Sequence, residues 1–145
     1  MYNIGWTEYI RYSNQLAKSV QESGKQYKGI LAIARGGTIV GTILSHVLDL
    51  PMAVIIGRSY GKDHSQKEVE LSDIITMEPY EGAWLIVDDL QDSGKTIGAI
   101  REKHKEKHKV DFDVAVLFDK GLTEERPDFL IEVRNEWIIF PYERG

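Results

Sequence analysis

Four short apolar runs constrain this chain most: "GILAIA" at 29–34, "MAVIIG" at 52–57, "AWLIVDD" at 83–89 and "FDVAVLF" at 112–118. Each is apolar at successive positions, not alternate ones, so each predicts a strand buried on both faces. Such a sheet needs helices between its strands, and the sequence supplies them. Trp6, Tyr9, Ile10, Ser13, Leu16, Ala17 and Val20 recur at helical spacing, with Gly24 placed as a C-cap. "TIVGTILSHVLDL", 38–50, is long enough for a second helix, and Pro51 lies just beyond it. "KTIGAIREKHKEKHK", 95–109, predicts a third, with Ile97, Ala99 and Ile100 inward and "REKHKEKHK" as its solvated face. "DFLIEV", 128–133, adds a fifth strand. The pattern predicts an α/β fold with a mostly parallel central sheet and helices on both faces, in one domain spanning residues 1–145.

Composition removes several function classes. The net charge is −5, so no broad basic surface points to nucleic acid. The chain has no cysteine, which excludes disulfides and thiolate metal sites and agrees with a cytoplasmic protein. "MYNIGWTEYI" lacks the basic and apolar blocks of a signal peptide. No apolar run approaches the roughly 20 residues that span a bilayer. The stretch "RSYGKDHSQKEVE", 58–70, is polar without apolar period and predicts a mobile loop.

In open parallel sheets ligands lie beyond the carboxyl ends of the strands. Three segments fall there: Arg35-Gly36-Gly37, Asp88 to Thr96, and Asp119-Lys120-Gly121. The second, within "LIVDDLQDSGKTIGAI", ends like a nucleotide-binding P-loop but fails the pattern, because Asp89 stands where the first glycine is required. Taken apart, the segment makes different sense. Asp92-Ser93-Gly94-Lys95-Thr96 opens a helix directly after a strand, where unpaired N–H groups and the helix dipole favour an anion. Gly94 admits a close backbone approach, and the Ser93 and Thr96 hydroxyls donate. These features describe a cradle for one phosphate monoester. Asp88 and Asp89 are acceptors only, suited to vicinal hydroxyls or to Mg²⁺. A phosphate cradle beside acceptors for a diol describes a ribose 5-phosphate. Adjacent carboxylates also repel, a cost that helix capping alone does not require.

Four apolar residues, two acids, then Asp-Ser-Gly-x-Thr, here "WLIVDDLQDSGKT", resembles the signature of the type I phosphoribosyltransferases. Arg35-Gly36-Gly37, Ser59-Tyr60, Lys120 and "EWIIFPYE" extend the resemblance to the short xanthine-guanine (6-oxopurine) members, over most of the chain. The resemblance implies transfer of a phosphoribosyl group from phosphoribosyl pyrophosphate to a purine base, with Mg²⁺ as cofactor. It assigns the ribose hydroxyls to Asp88 and Asp89, directly or through Mg²⁺ and water, and the 5-phosphate to Asp92, Ser93, Gly94, Lys95 and Thr96. Pyrophosphate falls to Arg35, Gly36 and Gly37, with the Ser59-Tyr60 backbone reaching it as loop 58–70 closes. Lys120 would donate to the C6 oxygen of the purine, and Trp137 and Ile138 would sandwich the ring. Asp92 would be the catalytic base at N7. Where such enzymes often end in Trp-Asp this chain has Tyr142-Glu143, and Glu143 would ligate a second Mg²⁺. The resemblance further implies a homodimer or homotetramer, with the aromatic first helix available for such contacts. Two alternatives share the motif: a regulator that binds phosphoribosyl pyrophosphate or nucleotides, and a phosphoribosyltransferase for another base.

Overall fold

A computed structural model describes residues 1–60 and 68–143, and of Tyr60 only the backbone. The central sheet has six strands. In chain order its elements are β2 (Gly29–Ala34), α2 (Gly37–Leu48), β3 (Met52–Tyr60), β4 (Glu68–Leu71), β5 (Gly82–Gln91), α3 (Lys95–His108), β6 (Val110–Asp119) and β7 (Phe129–Val133). They lie in the order β4-β3-β2-β5-β6-β7. All pairs are parallel except β3 with β4. Before them come β1 (Tyr2–Asn3) and α1 (Trp6–Ser23). After them β8 (Ile138–Ile139) pairs in parallel with β1, and a 3₁₀ turn follows at Pro141–Glu143.

The continuous apolar runs are buried on two faces, as their composition requires. Ile30, Leu85, Val87, Ala115 and Leu117 pack on one side with Val40 and Leu44 of α2 and with Tyr9, Leu16, Ala17 and Val20 of α1. Leu31, Ile33, Trp84, Ile86, Val114 and Val116 pack on the other with Ile97 and Ile100 of α3. The helices thus cover both faces, and the predicted architecture holds. Gly24 ends α1 in the left-handed conformation, with φ of 73°.

Four local expectations change. Trp6 and Ile10 share the helical period of α1 but stand half-exposed. The solvated face assigned to α3 is interrupted by His104, which is buried and has Tyr80 Oη 2.8 Å from its Nδ1. The strands β3, β5 and β6 run longer than their apolar cores. The polar stretch 58–70 is not a loop throughout. Arg58, Ser59 and Tyr60 pair antiparallel with Glu70, Val69 and Glu68. A two-stranded extension beyond the core faces solvent, so its residues carry no apolar signal. Residues 61–67, the centre of the expected closing loop, lie outside the described residues. Among the described residues no helix is long and apolar enough to cross a membrane.

Close packing of α2 on the sheet depends on Gly41, where a Cβ would lie 2.9 Å from Ala32 Cβ and 3.6 Å from Met52 Sδ. Overpacking of this kind costs about 1–3 kcal/mol. Gly41→Val is therefore expected to lower the Tm, measured by calorimetry, while conserving the far-ultraviolet spectrum; an unchanged Tm would show that α2 is free to shift.

Candidate active site

The strand order reverses between β2 and β5: β2 runs on through α2 to β3 on one side, while β5 runs through α3 to β6 on the other. Ligands of open α/β sheets bind at this switch point. Here the two strands part company within a turn. The last β2–β5 partners are Ala32 and Val87, after which β5 continues beside β6 alone as far as Gln91. Asp88 and Asp89 are therefore inside a strand, not at its end as expected, and their β2 side is open. A cleft of about 930 Å³ begins there.

The turn leaving β2 closes one wall of the cleft. Its Ala34–Arg35 peptide is cis. A Cβ at Gly36 would lie 2.6 Å from Asp89 Cγ, and one at Gly37 would lie 2.5 Å from the Val87 carbonyl oxygen. The twin glycines are thus required by contact with β5, a reason distinct from any anion they admit. Arg35 is exposed and borders the cleft, as do Gly36, Thr38 and Ile39.

The second wall is the start of α3. Asp92 is exposed on the cleft, and among the described residues its carboxylate makes no hydrogen bond or ion pair. Gly94 takes φ of 77° as the N-cap residue, a conformation that costs glycine least. It provides no side-chain cap, so the first N–H groups of α3 depend on other partners. Lys95 N–H reaches Ser93 Oγ at 3.4 Å. Thr96 faces the cleft and packs on Gly57 of β3, where a Cβ would lie 2.7 Å from Thr96 Cγ2. Ser93 and Gly94 link Asp92 to α3, and neither they nor Lys95 line the cleft, which Asp92 and Thr96 border. Ser59 pairs with Val69 in the antiparallel ribbon and does not border the cleft.

The third wall comes from the carboxyl end of β6 and from the C-terminal segment. Lys120 and Trp137 both line the cleft, with Lys120 Nζ 5.5 Å from the centroid of the Trp137 ring. Trp137 is 68% exposed, so its indole is a cleft surface and not a core residue. Ile138 borders the cleft but is 5% exposed, sunk mainly into the core beneath. Glu143 lines the far end, where its Oε1 accepts the Phe140 N–H at 3.0 Å and closes the 3₁₀ turn.

Two features have no signal in the sequence pattern. Gln91, a spacer between the acids and Asp92, is buried. Its Nε2 donates to the Glu125 carbonyl at 3.1 Å and stands 3.5 Å from Asp119 Oδ1. That contact ties the segment after Lys120 to β5. Tyr142 Oη donates to Asp89 Oδ2, joining the chain terminus to the cleft floor. Neither contact follows from local spacing, since the partners are 34 and 53 residues apart.

The protein's own groups make the electrostatics of the floor unfavourable. Burial pushes the Asp88 carboxyl well above its ordinary value, and the neighbouring Asp89 charge adds to the effect. Burial also raises Asp89, opposed by hydrogen bonds from Tyr142 and Asp88 and reinforced by the charge of Glu143. A carboxyl whose pKa rises on folding costs stability once the pH exceeds its unfolded value, near 3.8 for Asp88. Below that value both states are protonated and the cost vanishes. Asp88→Asn, which keeps an acceptor for the Asp89 N–H that Asp88 Oδ1 now holds at 2.8 Å, is expected to raise the Tm at pH 7.5 by about 2–4 °C, the shift that about 1 kcal/mol makes in a chain of this size. The gain should shrink as the pH is lowered toward 4; a gain independent of pH would refute the electrostatic origin.

Comparison with known proteins agrees with this geometry. The family model for the phosphoribosyl transferase domain matches residues 6–144. The chain is 32% identical over 144 residues to a xanthine-guanine phosphoribosyltransferase of Idiomarina loihiensis, covering 97% of this chain and 85% of that protein. Among solved structures, the Helicobacter pylori xanthine-guanine-hypoxanthine phosphoribosyltransferase superposes with a TM-score of 0.85 at 26% identity, over 99% of this chain and 94% of that one. A purine phosphoribosyltransferase from Pyrococcus horikoshii superposes with a TM-score of 0.83 at 28% identity, with the same coverage. The alternating elements, the crevice at the strand-order reversal and the acidic strand leading into a glycine-started helix are those of one lineage: the chain belongs to the phosphoribosyltransferase family.

Proposed function

We propose that this chain is a purine phosphoribosyltransferase of a single domain, which moves the 5-phosphoribosyl group from phosphoribosyl pyrophosphate to a 6-oxopurine and releases pyrophosphate in purine salvage. The observation that carries the reading is the convergence of three chemistries on one cleft. The start of α3 suits a monophosphate, the Asp88–Asp89 pair suits a diol, and Lys120 beside an exposed indole suits an oxo-substituted aromatic ring. The names of the relatives point to the same substrates.

The site also suits Mg²⁺. Among the described residues no three acidic or imidazole groups form a cage made by protein alone. Two adjacent carboxylates with no cationic partner among the described residues fit an ion that keeps several waters and takes its remaining ligands from substrate phosphates. Asp88 and Asp89 would hold it, directly or through water, and Glu143 would ligate a second ion at the pyrophosphate. When bound, the ion neutralises charge on the departing pyrophosphate.

The residues of the chain account for the remaining steps. The N–H groups at the start of α3, with the Ser93 and Thr96 hydroxyls, hold the 5-phosphate. Arg35 is a permanent cation at the other wall and holds pyrophosphate oxygens, with the backbone of Gly36 and Gly37 beside it. Ser59 and Tyr60, on the ribbon leading to residues 61–67, remain candidates for the same anion. The purine lies against Trp137, a stack worth roughly 1–3 kcal/mol per base, with the edge of Ile138 behind it. Lys120 has donors only and so selects an oxo group over an amino group at C6. As the bond from C1 to pyrophosphate breaks, positive charge builds on the sugar ring and the purine nitrogen bonds to C1. Asp92 then accepts the proton from N7, for which its unpaired carboxylate at the cleft surface is suited. Half-exposed Trp6 and Ile10 on α1 provide a surface for a homodimer or homotetramer, and the cytoplasm is the proposed location.

A turnover panel of purine and pyrimidine bases with phosphoribosyl pyrophosphate and Mg²⁺, read by pyrophosphate release, tests the reading. Turnover is expected with guanine, xanthine or hypoxanthine; turnover confined to adenine, uracil or orotate would overturn it. Asp92→Asn is expected to cut turnover by about 10²–10⁴-fold while leaving the affinity for phosphoribosyl pyrophosphate within about twofold. Unchanged turnover would remove Asp92 as the base. Lys120→Ala is expected to raise the KM for the 6-oxopurine about tenfold or more, the loss of one charged hydrogen bond. An equal rise for the sugar phosphate would contradict its role in reading the base.

A further inference from the structure

Tyr142 stands at the end of the C-terminal segment that carries Trp137, yet its hydroxyl reaches the floor of the cleft. Its Oη donates to Asp89 Oδ2 and lies 3.5 Å from the Gly36 carbonyl oxygen. The ring is held on three sides. Phe140 stacks on it at 5.5 Å between centroids with planes 2° apart, Tyr9 meets it edge-on at 5.6 Å, and Trp6 lies 6.2 Å away. Phe140 and Tyr9 are themselves buried in the core. The 3₁₀ turn beneath is closed twice between Phe140 and Glu143, through the Glu143 carboxylate and through the Glu143 N–H, each at 3.0 Å. The phenol is therefore aimed by packing, with little freedom to turn away.

A carboxylate has about four acceptor positions, and a phenol takes one of them. A donor from behind stabilises the ionised form and fixes the rotamer while leaving the other positions for a ligand. Burial and the nearby Glu143 charge make such a donor important to Asp89, since no lysine or arginine pairs with it among the described residues. We propose that Tyr142 is a positioning residue for Asp89. Its hydroxyl presets the carboxylate for the Mg²⁺-bound ribose. The inference rests on the phosphoribosyltransferase reading and assigns one of its working parts.

The test compares the full chain with Tyr142→Phe, which keeps the ring and removes only the donor. Binding of phosphoribosyl pyrophosphate with Mg²⁺ is titrated calorimetrically without base, and the KM for guanine and the Tm are measured alongside. Removing a group that orients a metal ligand costs about 10–100-fold in affinity. Tyr142→Phe is expected to weaken binding of the sugar pyrophosphate by that factor, to leave the KM for guanine within about twofold, and to leave the Tm within about 2 °C. Unchanged binding would overturn the proposal. So would weakened binding with an equal rise in the KM for guanine and a lowered Tm, the mark of a merely structural latch. A parent chain that itself fails to bind phosphoribosyl pyrophosphate overturns the activity and this inference with it, and is thereby distinguished from a variant that binds like the parent.

Discussion

The fold and its cleft depend on the geometry of β5. Through Val87 this strand is an interior strand, paired on one side with β2 and on the other with β6, and apolar toward both helical layers. Beyond Val87 it keeps only the β6 partner. The strand continues past that point, but its environment changes. The side toward β2 turns from dry core into a crevice, and two aspartates occupy the first positions of the opening. Everything else in the site is arranged around that divergence: the turn from β2 folds over the aspartates, and α3 starts just past the strand.

The price of this arrangement is buried like charge. Asp88 and Asp89 repel each other and lose solvent, and both carboxyls are pushed toward the protonated form. Sites that bind a cation or polarise a diol commonly carry such strain, because a group satisfied by its own protein has little left for a ligand. The protein offsets part of it with neutral donors, among them the Asp89 N–H to Asp88 and the Tyr142 hydroxyl to Asp89. Neutral donors relieve a carboxylate less than a cation would. A cation in the same place would occupy the ligand's position.

Much of the molecule is legible in its sequence. The four apolar runs led to the sheet because unbroken apolar sequence is tolerated only where both faces are covered. Asp92 to Thr96 led to a helix start because glycine and hydroxyl residues there serve the exposed N–H groups. The strand ends of β3 and β5 were read short, since pairing continues into polar residues once one side of the strand meets solvent. Trp6 and Ile10 share the period of the buried residues of α1 yet stand half-exposed, since helical spacing says which residues share a face and not how far the neighbouring layer extends. Gly36 and Gly37 also meet a requirement that no local pattern shows, close contact with β5.

The sequence by itself determined the order of strands and helices, the parallel sheet, and the acidic strand that runs into a glycine-started helix. These are local properties, set by periodicity, backbone freedom and side-chain chemistry over a few residues. Only the tertiary structure decided that Trp137 is open to the cleft and faces Lys120, that Gln91 anchors the segment after Lys120, and that Tyr142 holds Asp89. Those contacts span 17, 34 and 53 residues, the first by numbering (137 less 120). Their formation depends on how β6, β8 and the last turn are brought over the carboxyl edge of the sheet, which no window of sequence contains.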